Sequence, residues 1–222
     1  MFNVILGYII LIAGTAVLWL PLCILGLINA RWSVTLGDGI FHIWAKLFLL
    51  CLKVTYEIAG LENLDPKRNY VICSNHRSHM DGPLLLASLW PGFSYVMKKS
   101  LAVIPFWGWA LWAMGNVPIV RHDPGDSRRG MSDAAKKVRQ GRNVLVFPEG
   151  TRSPTGEMLP FKKGAAVLAI EAQAPVLPVS ISGTRDILPK KSLRPRPGRA
   201  KIVIGKPLET AGMTYDDRNR LN

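Results

Sequence analysis

Residues 70–89 read YVICSNHRSHMDGPLLLASL, and the fold class follows from the change of pattern inside them. Tyr70–Ser74 is a short apolar run with β-branched members, the pattern of a strand covered on both faces. Pro83–Leu89 is a leucine-rich stretch behind a proline that suits a first helical turn. Between the two lies a polar turn carrying His76, His79 and Asp81. Strand, turn and helix in that order form the building unit of an α/β fold. The alternation continues outward, with further strands expected at Val54–Ala59, Phe93–Met97, Val117–Val120, Asn143–Phe147, Val176–Ser182 and Ala200–Ile204. Further helices are expected at Ser127–Gln140 and Lys162–Gln173, the first capped by Asp126 and ended by Gly141. Residues 54–222 are thus expected to form a mixed, largely parallel sheet flanked by helices. Leu188–Arg199 reads as a basic surface loop. The polar tail after Met213 carries no expected element, and a closing helix is expected after Asn222.

The remainder, residues 1–53, reads differently. Residues 1–30 contain no Asp, Glu, Lys or Arg, and the apolar run Phe2–Ile28 is long enough to cross a bilayer, which takes roughly 20 residues. Pro21 and Gly26 interrupt it, so a kinked span and a membrane-dipping hairpin are both compatible with it. A cleaved signal peptide fits poorly, since there is no basic start and no small-residue cleavage site. Gly39–Leu52 reads as a helix lying in the membrane interface, with Trp44 and Phe48 inward and Lys46 reaching out. The sequence therefore divides into an apolar, helical, membrane-associating element over 1–53 and a main domain over 54–222. Net charge is +13, and Arg31 follows the first apolar segment directly. That bias keeps the main domain on the cytoplasmic side of the membrane. The apolar content excludes disorder. The positive field favours anionic partners, and beside an apolar anchor those are anionic phospholipids rather than nucleic acid. Cys23, Cys51 and Cys73 have no metal or disulfide spacing and read as reduced, inert thiols.

Two polar clusters carry chemistry. In the first, His76 can act as a general base on a hydroxyl, with Asp81 fixing its tautomer and stabilising the imidazolium. On a regular helix two residues five apart point ~140° away from each other, so only a turn brings this pair together. Asp81 also suits an N-cap before Pro83, and His79 reads as a surface or supporting residue. The second cluster, Phe147-Pro148-Glu149-Gly150-Thr151-Arg152-Ser153, follows another apolar strand. Gly150 permits a tight turn, and Arg152 can hold a phosphate in bidentate fashion. Glu149 can position Arg152 or bind substrate hydroxyls. Alone, such a loop is more commonly a Pro-Gly turn with a solvated ion pair. A metal-dependent hydrolase using His76, His79 and Asp81 needs more ligands than the sequence places, and no metal is expected.

Taken with Gly115–Arg121, Phe161–Gly164 and Val176–Val179, the two clusters in this order resemble the glycerolipid acyltransferase family, over about Ala59–Ile204. The His-x4-Asp and Phe-Pro-Glu-Gly-Thr-Arg-Ser blocks match in full. The block at 115–121 carries Pro118 where a bulky apolar residue is common. Bacterial members of that family make phosphatidic acid from 1-acylglycerol-3-phosphate. The resemblance implies that His76 is the base and Asp81 its partner, and that the lysolipid hydroxyl attacks an acyl thioester without a covalent acyl-enzyme. It implies a headgroup site formed by Arg121, Glu149, Gly150, Thr151 and Arg152, with Lys98 or Lys99, the latter favoured, reaching the phosphate. The implied partners are lysophosphatidic acid and acyl-CoA or acyl carrier protein as co-substrate, with no cofactor. A lyso-ornithine lipid or other lyso-acceptor is the alternative substrate, and a non-catalytic anionic-lipid binder the alternative of another class. Leu101–Met114, with Phe106, Trp107, Trp109 and Trp112, suits a packed core helix, an acyl-chain pocket or an interfacial tryptophan belt.

Overall fold

The computed structural model describes residues 30–89, 92–105, 108, 111–112 and 114–221, together with Ile9 and Val17. The expected N-terminal membrane segment, Cys23, Phe106, Trp107 and Trp109 lie outside the described residues. Among the described residues the elements run α1 (Ala30–Cys51), β1 (Val54–Ala59), β2 (Val71–Ser74), α2 (Asp81–Ser88), β3 (Phe93–Lys98), α3 (Lys99–Ala102) and β4 (Val117–Ile119). They continue with α4 (Pro124–Arg139), β5 (Asn143–Val146), α5 (Gly164–Ala172), β6 (Val176–Ser182), α6 (Thr184–Ile187) and β7 (Gly198–Ile204). Each strand read from the sequence is present, within two residues at either end.

The strands form one sheet in the order β1-β7-β6-β2-β5-β3-β4. All neighbours are parallel except β6 and β7. The central strands β2 and β5 are buried on both faces, which is why they read as unbroken apolar runs. Successive residues serve opposite layers. Ile72, Leu145 and Leu177 face a core shared with α1 and α2, while Val71, Val144 and Val176 face a second core against α4 and α5. Helix α5 contributes Ala165, Ala169 and Ala172 to the second layer, and these small side chains let the helix approach the sheet closely. Fully burying a Leu or Ile side chain is worth about 1.5–3 kcal/mol, so the two cores hold the sheet in place.

Helix α1 begins at Ala30, nine residues before the expected interfacial helix, and it packs on α2. Phe41, Trp44, Ala45, Phe48, Leu49 and Leu52 follow helical spacing and are buried in the first core. Trp44 and Phe48 thus point into the protein. Leu36, Ile43, Leu47 and Leu50 are exposed on the other side, as is Lys46. Among the described residues α1 is the one helix long and apolar enough to cross a membrane. Its single acidic side chain, Asp38, is buried and takes both terminal nitrogens of Arg142, with Nη2 2.7 Å from Oδ1.

Helix α4 corrects one expectation. It starts at Pro124, and Asp123, not Asp126, caps it by accepting from the Gly125 and Asp126 N–H groups at 2.8 and 3.1 Å. Asp-Pro places a capping carboxylate before a proline whose missing N–H costs nothing at the first helical position. Asp126 lies in the first turn and accepts from the Val120 N–H at 2.6 Å. Gly141, at φ +94°, follows the helix end as expected. The expected loop ends earlier than read, because Gly198 and Arg199 already belong to β7. In the tail, a short 3-10 helix at Tyr215–Asn219 is capped by Thr214 and Asp217.

Candidate active site

The carboxyl ends of β2, β5, β3 and β4 share one edge of the sheet, and the polar clusters of the sequence sit there. Parallel α/β sheets place their ligand sites at this edge. After β2, Asn75 is fixed by a double bond to the Ile181 backbone on β6. Its Nδ2 donates to the carbonyl at 2.9 Å and its Oδ1 accepts from the N–H at 2.7 Å. The chain then turns, and Asp81, fully buried at the start of α2, gathers the turn around one oxygen. Oδ2 accepts from His76 Nδ1 at 2.9 Å, from the Arg77 N–H at 2.7 Å and from the Ser78 N–H at 2.9 Å. The backbone donors lie upstream of the helix, and the capping position is Met80, so Asp81 closes the turn and orients His76 rather than capping α2. A carboxylate only accepts, so His76 Nδ1 carries the proton in the neutral ring and Nε2 keeps its lone pair.

The second cluster is clamped to the first. Gly150, at φ +69°, closes a tight turn in which its N–H donates to the Phe147 carbonyl at 2.9 Å. That turn drives Glu149 inward, where it is 2% exposed. Its Oε1 accepts from the His76 N–H at 2.7 Å and its Oε2 from the Leu159 N–H at 2.9 Å. The His76 carbonyl in turn accepts from the Ser153 N–H at 3.0 Å. Both backbone groups of His76 are therefore held by the second loop. The imidazole stacks on Phe147 at 4.0 Å between centroids, and Phe147 stacks on Tyr95 at 6.4 Å. The Tyr95 hydroxyl donates to the Gly82 carbonyl at 2.8 Å, and burial pushes its pKa well above the usual phenol value.

The cations are arranged around this centre. Burial lowers the pKa of Arg152, against the upward pull of the Asp81 carboxylate. Its carbonyl accepts from Lys190 Nζ at 2.7 Å, which draws the basic loop onto the site. Arg121, following β4, is half-buried and has its pKa lowered by burial. His79 is held below its ordinary pKa by burial first and then by Arg152 and His76. Of the two lysines, Lys98 faces the cavity beside His76, whereas Lys99 pairs with Asp126 at 3.7 Å. Thr151 is exposed. Thus His76, Asp81 and Glu149 are in direct contact, Arg121 and Gly150 border the cavities, and Thr151 and Lys99 stand apart. Among the described residues, no three His, Cys, Asp or Glu side chains converge as a metal site would need.

Two cavities meet at Phe147. One, of about 190 Å³, is lined by His76, Tyr95, Leu86, Leu111, Met114 and the α1 residues Phe41 and Trp44, with Lys98 and Arg121 also in its wall. The other, of about 360 Å³, has Arg121, Arg128, Lys162 and Lys163 around an apolar floor that includes Ile119, Val146 and Val167. An imidazole with an unprotonated nitrogen, an apolar recess and flanking cations thus stand together at this edge of the sheet.

Comparison with known proteins supplies the class. The acyltransferase family model matches residues 55–182, and the chain belongs to that family. Among its relatives is 1-acyl-sn-glycerol-3-phosphate acyltransferase alpha of Mus musculus, 37% identical over 178 residues, 78% of this chain and 62% of that protein. The 1-acyl-sn-glycerol-3-phosphate acyltransferase of Pseudomonas aeruginosa is 34% identical over 173 residues, 78% of this chain and 65% of that protein. The chain thus spans less than two thirds of the length of these curated relatives. The crystal structure of the 1-acyl-sn-glycerophosphate (LPA) acyltransferase PlsC from Thermotoga maritima matches with a TM-score of 0.84 at 27% identity, covering 99% of this chain and 89% of that one.

Proposed function

We propose that this chain transfers a fatty acyl group from an acyl thioester, acyl-CoA or acyl carrier protein, to the sn-2 hydroxyl of 1-acylglycerol-3-phosphate, giving phosphatidic acid. The observation that carries the reading is His76 Nδ1 on Asp81 at 2.9 Å, with the ring bordering an apolar cavity flanked by cations. Nε2 takes the proton of the acceptor hydroxyl as its oxygen attacks the thioester carbonyl. Asp81 stabilises the imidazolium that forms. The tetrahedral intermediate collapses with loss of the thiol, which recovers the proton from His76. The acyl group passes directly between substrates, with no acyl-enzyme and no cofactor.

The cavity beside His76 suits the acyl chain, since its apolar lining gains about 0.8 kcal/mol per methylene buried. Arg121, Lys98 and Arg152 suit the acceptor phosphate, where a guanidinium binds two oxygens at once. The exposed apolar side of α1, together with Val103, Ile104 and Trp112, suits an anionic membrane surface. The charge of the basic loop adds attraction for anionic lipid, which supports a reaction at the cytoplasmic face of the inner membrane. The names of the relatives above support lysophosphatidic acid as acceptor. The test is a purified assay of labelled acyl thioester against a panel of lyso-acceptors that includes lyso-ornithine lipid, with the product mass read out. Phosphatidic acid as the main product supports the proposal, and acylation of a different acceptor in preference overturns the substrate assignment.

A further inference from the structure

The segment after β6 lies beyond both polar clusters, yet it holds both of them. Ile187 and Leu188, at the end of α6 and just past it, are buried in the first core and anchor the segment. From there it reaches the first cluster. The buried Ser78 hydroxyl donates to the Leu188 carbonyl at 2.7 Å, while the Ser78 N–H sits on Asp81. It also reaches the second. Arg185 donates to the Thr155 carbonyl, and Lys190 Nζ donates to the Arg152 carbonyl at 2.7 Å. The Arg152 carbonyl shares a peptide plane with the Ser153 N–H, which donates to the His76 carbonyl at 3.0 Å. One peptide group is thus gripped at both ends, by an ammonium and by the backbone of the base. A charged donor on the carbonyl polarises the group and strengthens the bond its N–H makes.

The turn that delivers Lys190 is strained. The Ser192 N–H donates to the Pro189 carbonyl at 3.0 Å, and Lys191 between them has φ +74°, a conformation that favours glycine or asparagine. Such strain persists only where surrounding contacts hold it, and the half-buried Lys190 contact is one such hold. Arg152 depends on it most. Among the described residues its guanidinium has no hydrogen bond or ion pair, so its place follows that of its backbone. His76 has separate holds on its N–H and its ring, from Glu149 and Asp81.

We infer that Lys190 is a positioning residue for Arg152. By fixing the Arg152–Ser153 peptide group it aims the guanidinium at the acceptor phosphate, and so sets acceptor affinity without touching the acceptor itself. The inference rests on the acyl-transfer reading above, with Arg152 on the phosphate.

The experiment measures steady-state kinetics of the full chain with palmitoyl-CoA and lysophosphatidic acid. Lys190→Met removes the charged donor, and should raise KM for lysophosphatidic acid about tenfold while kcat stays within about threefold of wild type. Lys190→Arg keeps charge and donor and should restore most of the affinity. Lys191→Met removes the same charge from an exposed neighbour and should behave as wild type, which separates positioning from general attraction. In an Arg152→Ala background, Lys190→Met should add little further loss in kcat/KM, because it acts through that side chain. Independent, additive losses would show that Lys190 binds the phosphate directly and would overturn the positioning role. A wild-type KM in Lys190→Met, or a fall in kcat as large as the rise in KM, would overturn it as well. If Lys190→Met does not fold, Lys190→Gln decides: it keeps a neutral donor, so a raised KM supports the inference and an unchanged KM overturns it. If wild type transfers no acyl group to lysophosphatidic acid, the acyl-transfer reading itself falls and this inference with it.

Discussion

Replacing Glu149 by glutamine separates two roles for the carboxylate that its place in the loop allows. The structure uses both oxygens to accept backbone N–H groups, from His76 at 2.7 Å and Leu159 at 2.9 Å, at a side chain 2% exposed. Glutamine keeps one carbonyl oxygen and turns an NH2 group towards the other N–H, so one bond is lost and one is weakened. Hydrogen bonds to a charged acceptor contribute about 1.5–3 kcal/mol, and an unsatisfied buried donor costs about 1–3 kcal/mol. The expected loss is about 2–3 kcal/mol. For a chain of this size that lowers Tm by roughly 4–12 °C. The same loosening displaces His76, and a shift of about 1 Å at a reacting group can cost on the order of a hundredfold in rate. Scanning fluorimetry in detergent and steady-state kinetics are the assays. Lower Tm with lower kcat and a nearly constant KM for the lysolipid is expected. A raised KM at unchanged Tm and kcat would show that the carboxylate binds substrate hydroxyls, and the clamp argument would be wrong.

Other outcomes follow from the same geometry. Asp38→Ala leaves the Arg142 guanidinium buried without its carboxylate and should cost about 3–5 kcal/mol by chemical denaturation, whereas Asp38→Leu with Arg142→Met should recover most of it. Equal losses in single and double variants would contradict this. Asp123→Ala should cost about 0.5–2 kcal/mol, and Asp126→Ala should not reproduce it through capping, as read by helix α4 amide exchange. The Cys73 thiol is pushed up to about 12 by burial, so it stays protonated at neutral pH and resists alkylation in the native state. Mass spectrometry should find Cys73 labelled only after unfolding. His79 carries a pKa lowered in the folded chain, so it favours the folded state above its ordinary value and loses that contribution as pH falls through its folded value. His79→Gln should reduce the fall of Tm on acidification, and an unchanged acid slope would refute that assignment.

Much of the fold was legible because parallel strands buried on both faces read as plain apolar runs, as β2 and β5 do. The site was legible in part for the same reason, since polar residues directly after such strands mark the sheet edge. Strand order was not, because it depends on contacts far apart in the chain. Nor was the role of Glu149: the bond to the His76 N–H joins residues 73 apart, and no local pattern encodes it. Nor was the Asp38–Arg142 pair, which joins residues 104 apart: Asp38 lies just outside the stretch read as a helix, Gly39–Leu52, so nothing local marked it as buried. The start of α4 was misread because Ser127 and Asp126 imitate a helix start three residues after the Asp123-Pro124 one. Lys98 and Lys99 could not be told apart by sequence, since the strand end between them decides which faces the cavity.

The central claim is that one imidazole, oriented by Asp81, removes the proton from the acceptor hydroxyl. The most direct measurement is single-turnover acyl transfer by His76→Ala beside its binding to vesicles containing phosphatidylglycerol. General-base catalysis contributes about 10²–10⁴-fold, so the rate should drop by at least that range while vesicle binding stays at the wild-type level. A transfer rate within a few-fold of wild type, at equal vesicle binding, would contradict the account.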